Sequence, residues 1–108
     1  MPRTGDTSEA SVDWYGAKEL NMYFVYVLRS DFDNKFYIGF TNNVKRRLSD
    51  HNSGKVLSTS LRKPFKLFYY EAHLSKTDVL RREQYFKTSK GKITLKLILR
   101  DSLAKISL

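Results

Sequence analysis

The sequence predicts an α+β domain built on a small sheet. Short runs of β-branched and aromatic residues alternate with segments of helical spacing, in the order β-β-α-β-α with one further element. At 108 residues the chain has the length of one domain, and 41% hydrophobic residues with 7 Phe, 7 Tyr and 1 Trp are enough for a single core. These observations exclude a wholly disordered chain.

The first two elements form a predicted hairpin. Tyr23 to Leu28 is a β-branched and aromatic run typical of a buried strand, and Phe36 to Phe40 is a second such run. Asp33 and Asn34 between them favour a turn. Because the connection is short, the two strands are expected to be antiparallel.

A helix is predicted over residues 43–53. Val44 and Leu48 are spaced i, i+4, and Gly54 stands where a glycine commonly ends a helix. Before this segment come three residues that cap helix N-termini well, namely Thr41, Asn42 and Asn43.

A basic, hydroxyl-rich loop and two more elements follow. The loop runs from Lys55 to Lys63, and Phe65 to Ala72 is the third predicted strand. Ser75 and Asp78 resemble a capping box, which favours a helix from about Lys76 to Thr88.

The pattern does not decide the last element. The helix is expected to be broken at Ser89, Lys90 and Gly91. Beyond them, alternation over Ile93, Leu95, Leu97 and Leu99 indicates a strand, but the same residues satisfy i, i+4 spacing. Lys92 to Arg100 is therefore open between strand and helix on periodicity alone.

Composition excludes several kinds of site. With no Cys and only His51 and His73, the chain has no disulfide, no cysteine nucleophile and no multi-histidine metal centre. No run approaches the roughly 18 apolar residues of a membrane span, and no signal peptide is visible. We therefore expect no membrane partner and a cytoplasmic location.

Charge is distributed unevenly along the chain. Residues 1–21 are polar, carry a net −2 and are expected to form a mobile N-terminal tail, whereas residues 22–108, the expected domain, hold 18 basic and 7 acidic residues. Such a positive field favours phosphate-bearing partners. A solubility surface or an acidic protein partner are the alternatives.

Candidate chemical groups cluster around the second strand and the two predicted helices. Tyr37 and Gly39 share a strand face, and a glycine beside a tyrosine leaves room for a close approach to the sheet. Arg47 and His51 are helix neighbours at i, i+4 and are expected along the rim of the interface with the sheet. Glu83 interrupts an apolar stripe, so it needs a cation or hydrogen-bond donors, and Arg47, Lys87 or a bound metal are the candidate partners.

Together these residues resemble the GIY-YIG nuclease domain, which is named for two tripeptides on neighbouring strands. The first is Phe24-Val25-Tyr26 here, keeping only the tyrosine, and the second is an intact Tyr37-Ile38-Gly39. The chain is similar to small single-domain members, related to the nuclease domain of the excinuclease C subunit, over about residues 22–99. Further matching positions are Thr41-Asn42-Asn43, Arg46-Arg47-Leu48, His51-Asn52-Ser53-Gly54, Thr59, Pro64 and Leu80-Arg81-Arg82-Glu83.

The resemblance implies a three-stranded antiparallel sheet flanked by helices, with residues 92–99 helical. It also implies an endonuclease that hydrolyses DNA phosphodiesters with a single divalent ion, Mg²⁺ or Mn²⁺. Branched or single-stranded DNA are the targets to be tested, and a catalytically weak nucleic-acid-binding module of the same fold is the alternative.

The resemblance also assigns roles to residues. Glu83 would hold the metal, Arg47 the scissile phosphate, and Tyr26 or Tyr37 would activate the attacking water, with His51 assisting proton transfer or contacting phosphate. Weaker candidates for contacting nucleic acid are Arg46, Thr59, Lys63 and Lys87. Phe40 stands where excinuclease relatives often carry a lysine, so one phosphate contact is expected to be missing.

Overall fold

The computed structural model describes residues 21–106. Three strands form one antiparallel sheet: β1 is Tyr23–Ser30, β2 is Phe36–Thr41 and β3 is Phe65–His73. The sheet order is β2-β1-β3, so β1 is the central strand. The predicted α+β class and three-stranded sheet are confirmed, with each strand one or two residues longer at its end than predicted. The expected tail, apart from Asn21, lies outside the described residues.

Four helices accompany the sheet. α1 is Val44–Asn52, α2 is Lys76–Phe86, α3 is Ser89–Ile98 and α4 is Arg100–Ile106. The segment that periodicity left open is thus helical, as the resemblance implied. α4 was not predicted.

The predicted break between α2 and α3 is misplaced by a few residues. Ser89, Lys90 and Gly91 form the first turn of α3 rather than the break. The physical reason is Thr88, whose side-chain oxygen accepts a hydrogen bond from the Gly91 backbone N–H and so begins a new helix. The break lies instead at Lys87 and Thr88.

The two faces of β1 serve two different layers. Val25 and Val27 point to one face, where they join the buried core contributed by α2, α3 and the residue after α3, namely Val79, Phe86, Leu95 and Leu99. Tyr26 and Leu28 point to the other face and pack with Phe65, Tyr37 and Leu48 of α1. The sheet therefore lies between α1 on one side and the other helices on its opposite side.

Local contacts fix α1 and the following loop against the sheet. The Asn43 side chain caps α1 by accepting from the Arg46 N–H, and Gly54 ends it with a positive φ of 83°. Asn52 accepts from the Phe65 N–H at 2.6 Å and donates to the Phe65 carbonyl at 2.9 Å. Arg62 binds Asp33 of the hairpin turn at 2.6 Å. These contacts hold the segment between α1 and β3 in place around His51.

Candidate active site

Tyr26 lies at the centre of the candidate site. Its side chain is 1% exposed, and its hydroxyl lies 2.9 Å from His51 Nε2. Arg47 Nε donates to the same hydroxyl at 3.3 Å. A strand residue and two helix residues one turn apart thus converge on one phenol, because α1 packs over the Tyr26 face of the sheet.

Gly39 makes room for Tyr26. The two residues pair directly across β1 and β2, and a Cβ at position 39 would lie 2.6 Å from the Tyr26 hydroxyl oxygen and 2.7 Å from Cζ. The close approach predicted from Tyr37 and Gly39 is therefore made by the ring of Tyr26 itself. The glycine of the second tripeptide and the tyrosine of the first are one packing unit.

His51 is fully buried, which corrects the expectation that it would lie along the rim. Phe65 and Tyr37 pack edge-on against its ring, with centroids 5.6 and 4.9 Å away. The ring is buried because α1 turns this residue toward the sheet. Its Nδ1 lies 2.7 Å from the Thr59 hydroxyl oxygen, and Thr59 is itself buried.

The hydrogen bonds around His51 have one consistent direction. The Thr59 hydroxyl donates to the Val56 carbonyl at 3.3 Å, so it accepts from His51 Nδ1–H. His51 Nε2 is then the acceptor for the Tyr26 hydroxyl proton, and the Tyr26 oxygen accepts from Arg47. The four hydrogen bonds therefore run in one direction, from the Arg47 guanidinium through Tyr26, His51 and Thr59 to the Val56 carbonyl.

Burial keeps both central groups neutral at ordinary pH. Burial raises the pKa of Tyr26 to about 12, although the hydrogen bond from Arg47 opposes that rise. Burial, followed by the positive charge of Arg47, lowers the pKa of His51 below its usual value. The hydrogen bond to Tyr26 raises the pKa of Arg47, which stays a cation. A neutral imidazole is the form that accepts the tyrosine proton.

Tyr37 completes the aromatic group but is held differently. Its ring is partly buried, 6.2 Å from the Tyr26 ring centroid. Within residues 21–106, no group hydrogen-bonds its hydroxyl. The two candidate tyrosines are therefore distinct: the Tyr26 hydroxyl is bonded to His51 and Arg47, whereas among the described residues the Tyr37 hydroxyl has no partner and can bind a ligand or water.

Glu83 lies on α2 and is 8% exposed. Its partner is Lys87, whose Nζ donates at 2.9 Å, and Gln84 donates to its other oxygen at 3.1 Å. Of the partners left open by the sequence, the structure thus shows Lys87 rather than Arg47. The Glu83 charge also raises the pKa of Tyr26, as the smallest of the contributions to that pKa. The described residues hold no cluster of three metal-binding side chains.

A basic pocket of about 280 Å³ opens beside Arg47, at the N-terminal ends of α1 and α2. Arg46, Arg47 and Lys76 bring three cations to its wall, and Arg46 is positioned by a 3.0 Å bond to the Asn42 side chain. Sequence reasoning missed Lys76 and Asn42 as site residues. Asn42 belonged to the cap motif already noted, whereas Lys76 carried no signal because it comes from a distant helix.

The weaker nucleic-acid candidates separate in space. Arg46 lines the basic pocket, and Lys63 is exposed but donates to the Ser60 carbonyl. Lys87 is the ion-pair partner of Glu83. Thr59 is buried behind His51, so it supports that ring rather than facing a ligand.

The comparison with known families places this fold in a class of proteins, a nuclease domain family. Residues 22–96 match the model of the GIY-YIG catalytic domain, and the chain belongs to that family.

The chain is also similar to several UPF0213 proteins. A UPF0213 protein of Limosilactobacillus reuteri is 48% identical over 68 residues, covering 60% of this chain and 70% of the relative. A UPF0213 protein of Staphylococcus haemolyticus is 39% identical over 77 residues, covering 70% of this chain and 93% of the relative. The protein in the solution NMR structure of UPF0213 protein BH0048 from Bacillus halodurans is 34% identical in sequence. The match covers 71% of this chain and 84% of that one, with a TM-score of 0.46.

Within residues 21–106, no helix has the length and apolarity to cross a membrane.

Proposed function

We propose that this chain is an endonuclease that hydrolyses phosphodiester bonds in DNA with the help of one divalent ion. The observation that carries the proposal is the one-way hydrogen-bond chain from Arg47 through Tyr26 and His51 to Thr59. A buried phenol that contacts both a fixed cation and a neutral imidazole is arranged for proton transfer next to an anion. The proposal takes Glu83 as the carboxylate of the site, because its negative charge acts on the pKa of the same phenol.

Arg47 is suited to hold the scissile phosphate. Its Nε is engaged with Tyr26, and the two terminal nitrogens of the planar fork remain to bind phosphate oxygens. Because the same guanidinium donates to Tyr26, phosphate and phenol are held in a fixed relation. A lysine cannot make both contacts with this geometry.

Tyr26 and His51 act together as the base. As water attacks phosphorus, its proton passes to the Tyr26 oxygen while the Tyr26 proton passes to His51 Nε2. The bond from water oxygen to phosphorus forms, the bond to the leaving oxygen breaks, and His51 becomes the imidazolium. The Tyr37 hydroxyl orients the water, since no described residue makes a hydrogen bond to that hydroxyl.

The residues present fit a divalent ion of the Mg²⁺ type. Such ions keep several waters and bind through one or two carboxylates plus substrate phosphates, so Glu83 alone is a sufficient protein ligand. Lys87 is half exposed and can turn away from the carboxylate. An ion held by Glu83 would stabilise the negative charge that develops on phosphate and leaving oxygen.

The second candidate is a nucleic-acid-binding module that cuts weakly. The ion pair of Glu83 with Lys87 is the observation that favours it, because a carboxylate already neutralised needs no metal. In that case the basic pocket would bind phosphate, and the buried network would be structural.

Glu83→Gln separates the two functions. With Mg²⁺ or Mn²⁺, we expect the full chain to cleave DNA and the variant to lose at least about 100-fold in rate. DNA affinity should be kept or increased, because one negative charge is removed. Asp78→Asn is the matched control, since Asp78 is an exposed carboxylate on the same helix and should leave the rate unchanged. DNA binding without cleavage by the wild type would favour the module.

A further inference from the structure

A second groove lies between α1 and β3, on the same face of the sheet as Tyr26. It has a volume of about 480 Å³, with Phe24, Leu67 and Tyr70 on the sheet side and Val44 and Leu48 on the α1 side. Tyr70 is 52% exposed, and Phe24 contacts its ring edge-on with centroids 5.8 Å apart. The groove therefore presents a flat aromatic side chain that is held in place yet open to solvent.

This groove adjoins the candidate active site. Tyr70 pairs with Tyr26 across β3 and β1, and paired residues project from the same face with Cβ atoms about 5 Å apart. Asn42 lines both this groove and the basic pocket that contains Arg47. A nucleotide with its phosphate in the basic pocket therefore has an apolar groove within reach of its base.

We propose that this groove is a base-binding subsite, where an unpaired nucleobase of the bound strand stacks on Tyr70. The inference rests on the proposed function, because it takes the basic pocket as the phosphate site. It adds a substrate class: single-stranded DNA, or a strand with a base out of the stack, rather than continuous duplex.

Stacking explains the preference for an unpaired base. Within a duplex, neighbouring bases cover both faces of each base, so an aromatic side chain on a protein surface stacks only on a base that has left the helix. Base–aromatic stacking is indifferent to sequence, since every base has an aromatic face. The subsite therefore selects for strand state and not for sequence.

Charge favours a nucleic acid over other occupants of the groove. Lys45 lies at the groove and Arg46 lines the adjoining pocket, so the apolar surface is bordered by cations. A second copy of this chain, with a net charge of +9, would bring like charges against that border. A strand of nucleotides supplies both anionic phosphates for the basic pocket and apolar bases for the adjoining groove.

The test measures binding in chelator, where metal-dependent cleavage does not occur. The probe is a short oligonucleotide with one 2-aminopurine, used as a single strand or as a blunt duplex of the same sequence. We expect the full chain to bind the single strand about tenfold more tightly and to quench its fluorescence. Tyr70→Leu should lose both the quenching and about tenfold in affinity, whereas Tyr70→Phe should keep both because it retains the ring.

Controls separate the subsite from the nuclease assignment. Tyr85→Leu removes an exposed tyrosine from α2, on the opposite side of the sheet, and should bind like the wild type. Equal affinity for single strand and duplex, or unchanged binding by Tyr70→Leu, would overturn the subsite even if DNA is cleaved. Ring-dependent quenching without cleavage in Mg²⁺ would support the subsite and refute the endonuclease. Weaker self-association of Tyr70→Leu in sedimentation, with DNA binding unchanged, would identify a second copy as the occupant and overturn the proposal.

Discussion

Thr59 shows how one residue can set the chemistry of another. Its hydroxyl donates to the Val56 carbonyl and accepts from His51 Nδ1, which leaves Nε2 free to receive a proton from Tyr26. Without this bond the two tautomers of a neutral imidazole would compete, and one of them could not accept from the phenol. Thr59 is thus a positioning residue in the proposed mechanism.

Arg47→Lys tests the double contact of the guanidinium. The charge is kept, so DNA affinity should change little, but the bond to Tyr26 and the planar fork are lost. We expect cleavage to fall about 100-fold, as measured in single-turnover assays alongside binding in chelator. Arg81→Lys, at an exposed position on α2, is the control. Equal cleavage by wild type and Arg47→Lys would remove Arg47 from the site.

The activity should fall as the pH drops through the pKa of His51, which lies below its usual value of about 6.5. His51 accepts the tyrosine proton only when neutral, and burial lowers its pKa in the folded chain. The same shift makes neutral His51 stabilise the fold above its unfolded pKa of about 6.5, and this stability is lost as pH falls through the lowered folded pKa. An NMR titration of the His51 ring should give a midpoint below 6.5, with the acid limb of the cleavage rate following it. A midpoint above 6.5 would contradict the buried neutral imidazole.

Part of the candidate site was predictable from residue types and spacing. Arg47 and His51 are one helical turn apart, so the sequence predicts that they are neighbours on α1. Tyr37 precedes Gly39 by two residues, so the sequence predicts that they share one face of β2. The depth of His51 and the role of Thr59 did not, because both depend on how the loop after α1 folds back. Lys76 was missed because the N-terminal ends of α1 and α2 line one pocket only in the folded chain.

Elements were predicted well where local signals were strong. Caps and turn residues placed α1, α2 and the hairpin, but Leu95 and Leu99 satisfied both strand and helix patterns. In the structure these two leucines are buried, whereas Ile93 and Leu97 are mostly exposed, so of the two i, i+4 pairs only Leu95 and Leu99 pack into the core. α4 gave no signal, because none of its described residues is buried.

Gly91→Ala should destabilise the corner between α2 and α3. A Cβ at position 91 would lie 1.7 Å from the Tyr85 carbonyl oxygen, so the two helices would have to move apart. We expect a loss of about 3 kcal/mol in the free energy of unfolding, measured by chemical denaturation. Lys90→Ala, at the exposed neighbouring position, should change it by less than about 0.5 kcal/mol. A similar small change in Gly91→Ala would show that the corner is not closely packed.

At the scale of the whole molecule, the sheet separates the larger buried cluster from Tyr26 and its hydrogen-bond partners. The larger buried cluster, with Val79, Phe86 and Leu95, lies on one face, and Tyr26 with its partners lies on the other. Substitutions on the surface of the proposed site should therefore reduce activity without unfolding the chain. The buried members are exceptions: Tyr26 and His51 also fill space beneath α1, and Glu83 is buried on α2.

DNA binding by the whole chain should depend steeply on salt. The net charge is +9, and Lys45, Arg46, Arg47 and Lys76 surround the two cavities. If these four cations each neutralise a phosphate, the slope of log affinity against log salt should be about −3 on a single strand. Lys76→Gln should make that slope shallower by about 0.7, as measured by fluorescence anisotropy across a salt series. Affinity that stays flat from low to physiological salt would contradict the electrostatic footprint.

The contact between Gly39 and Tyr26 has an evolutionary consequence. The ring cannot move aside for a Cβ, because it is buried and its hydroxyl is held by His51 and Arg47. Any larger residue at position 39 therefore has to arise after, or together with, the loss of the tyrosine at position 26. Among descendants of this chain we expect the two positions to vary as a pair. Replacement of Gly39 by a larger residue should be found only in lineages in which Tyr26 has also been replaced.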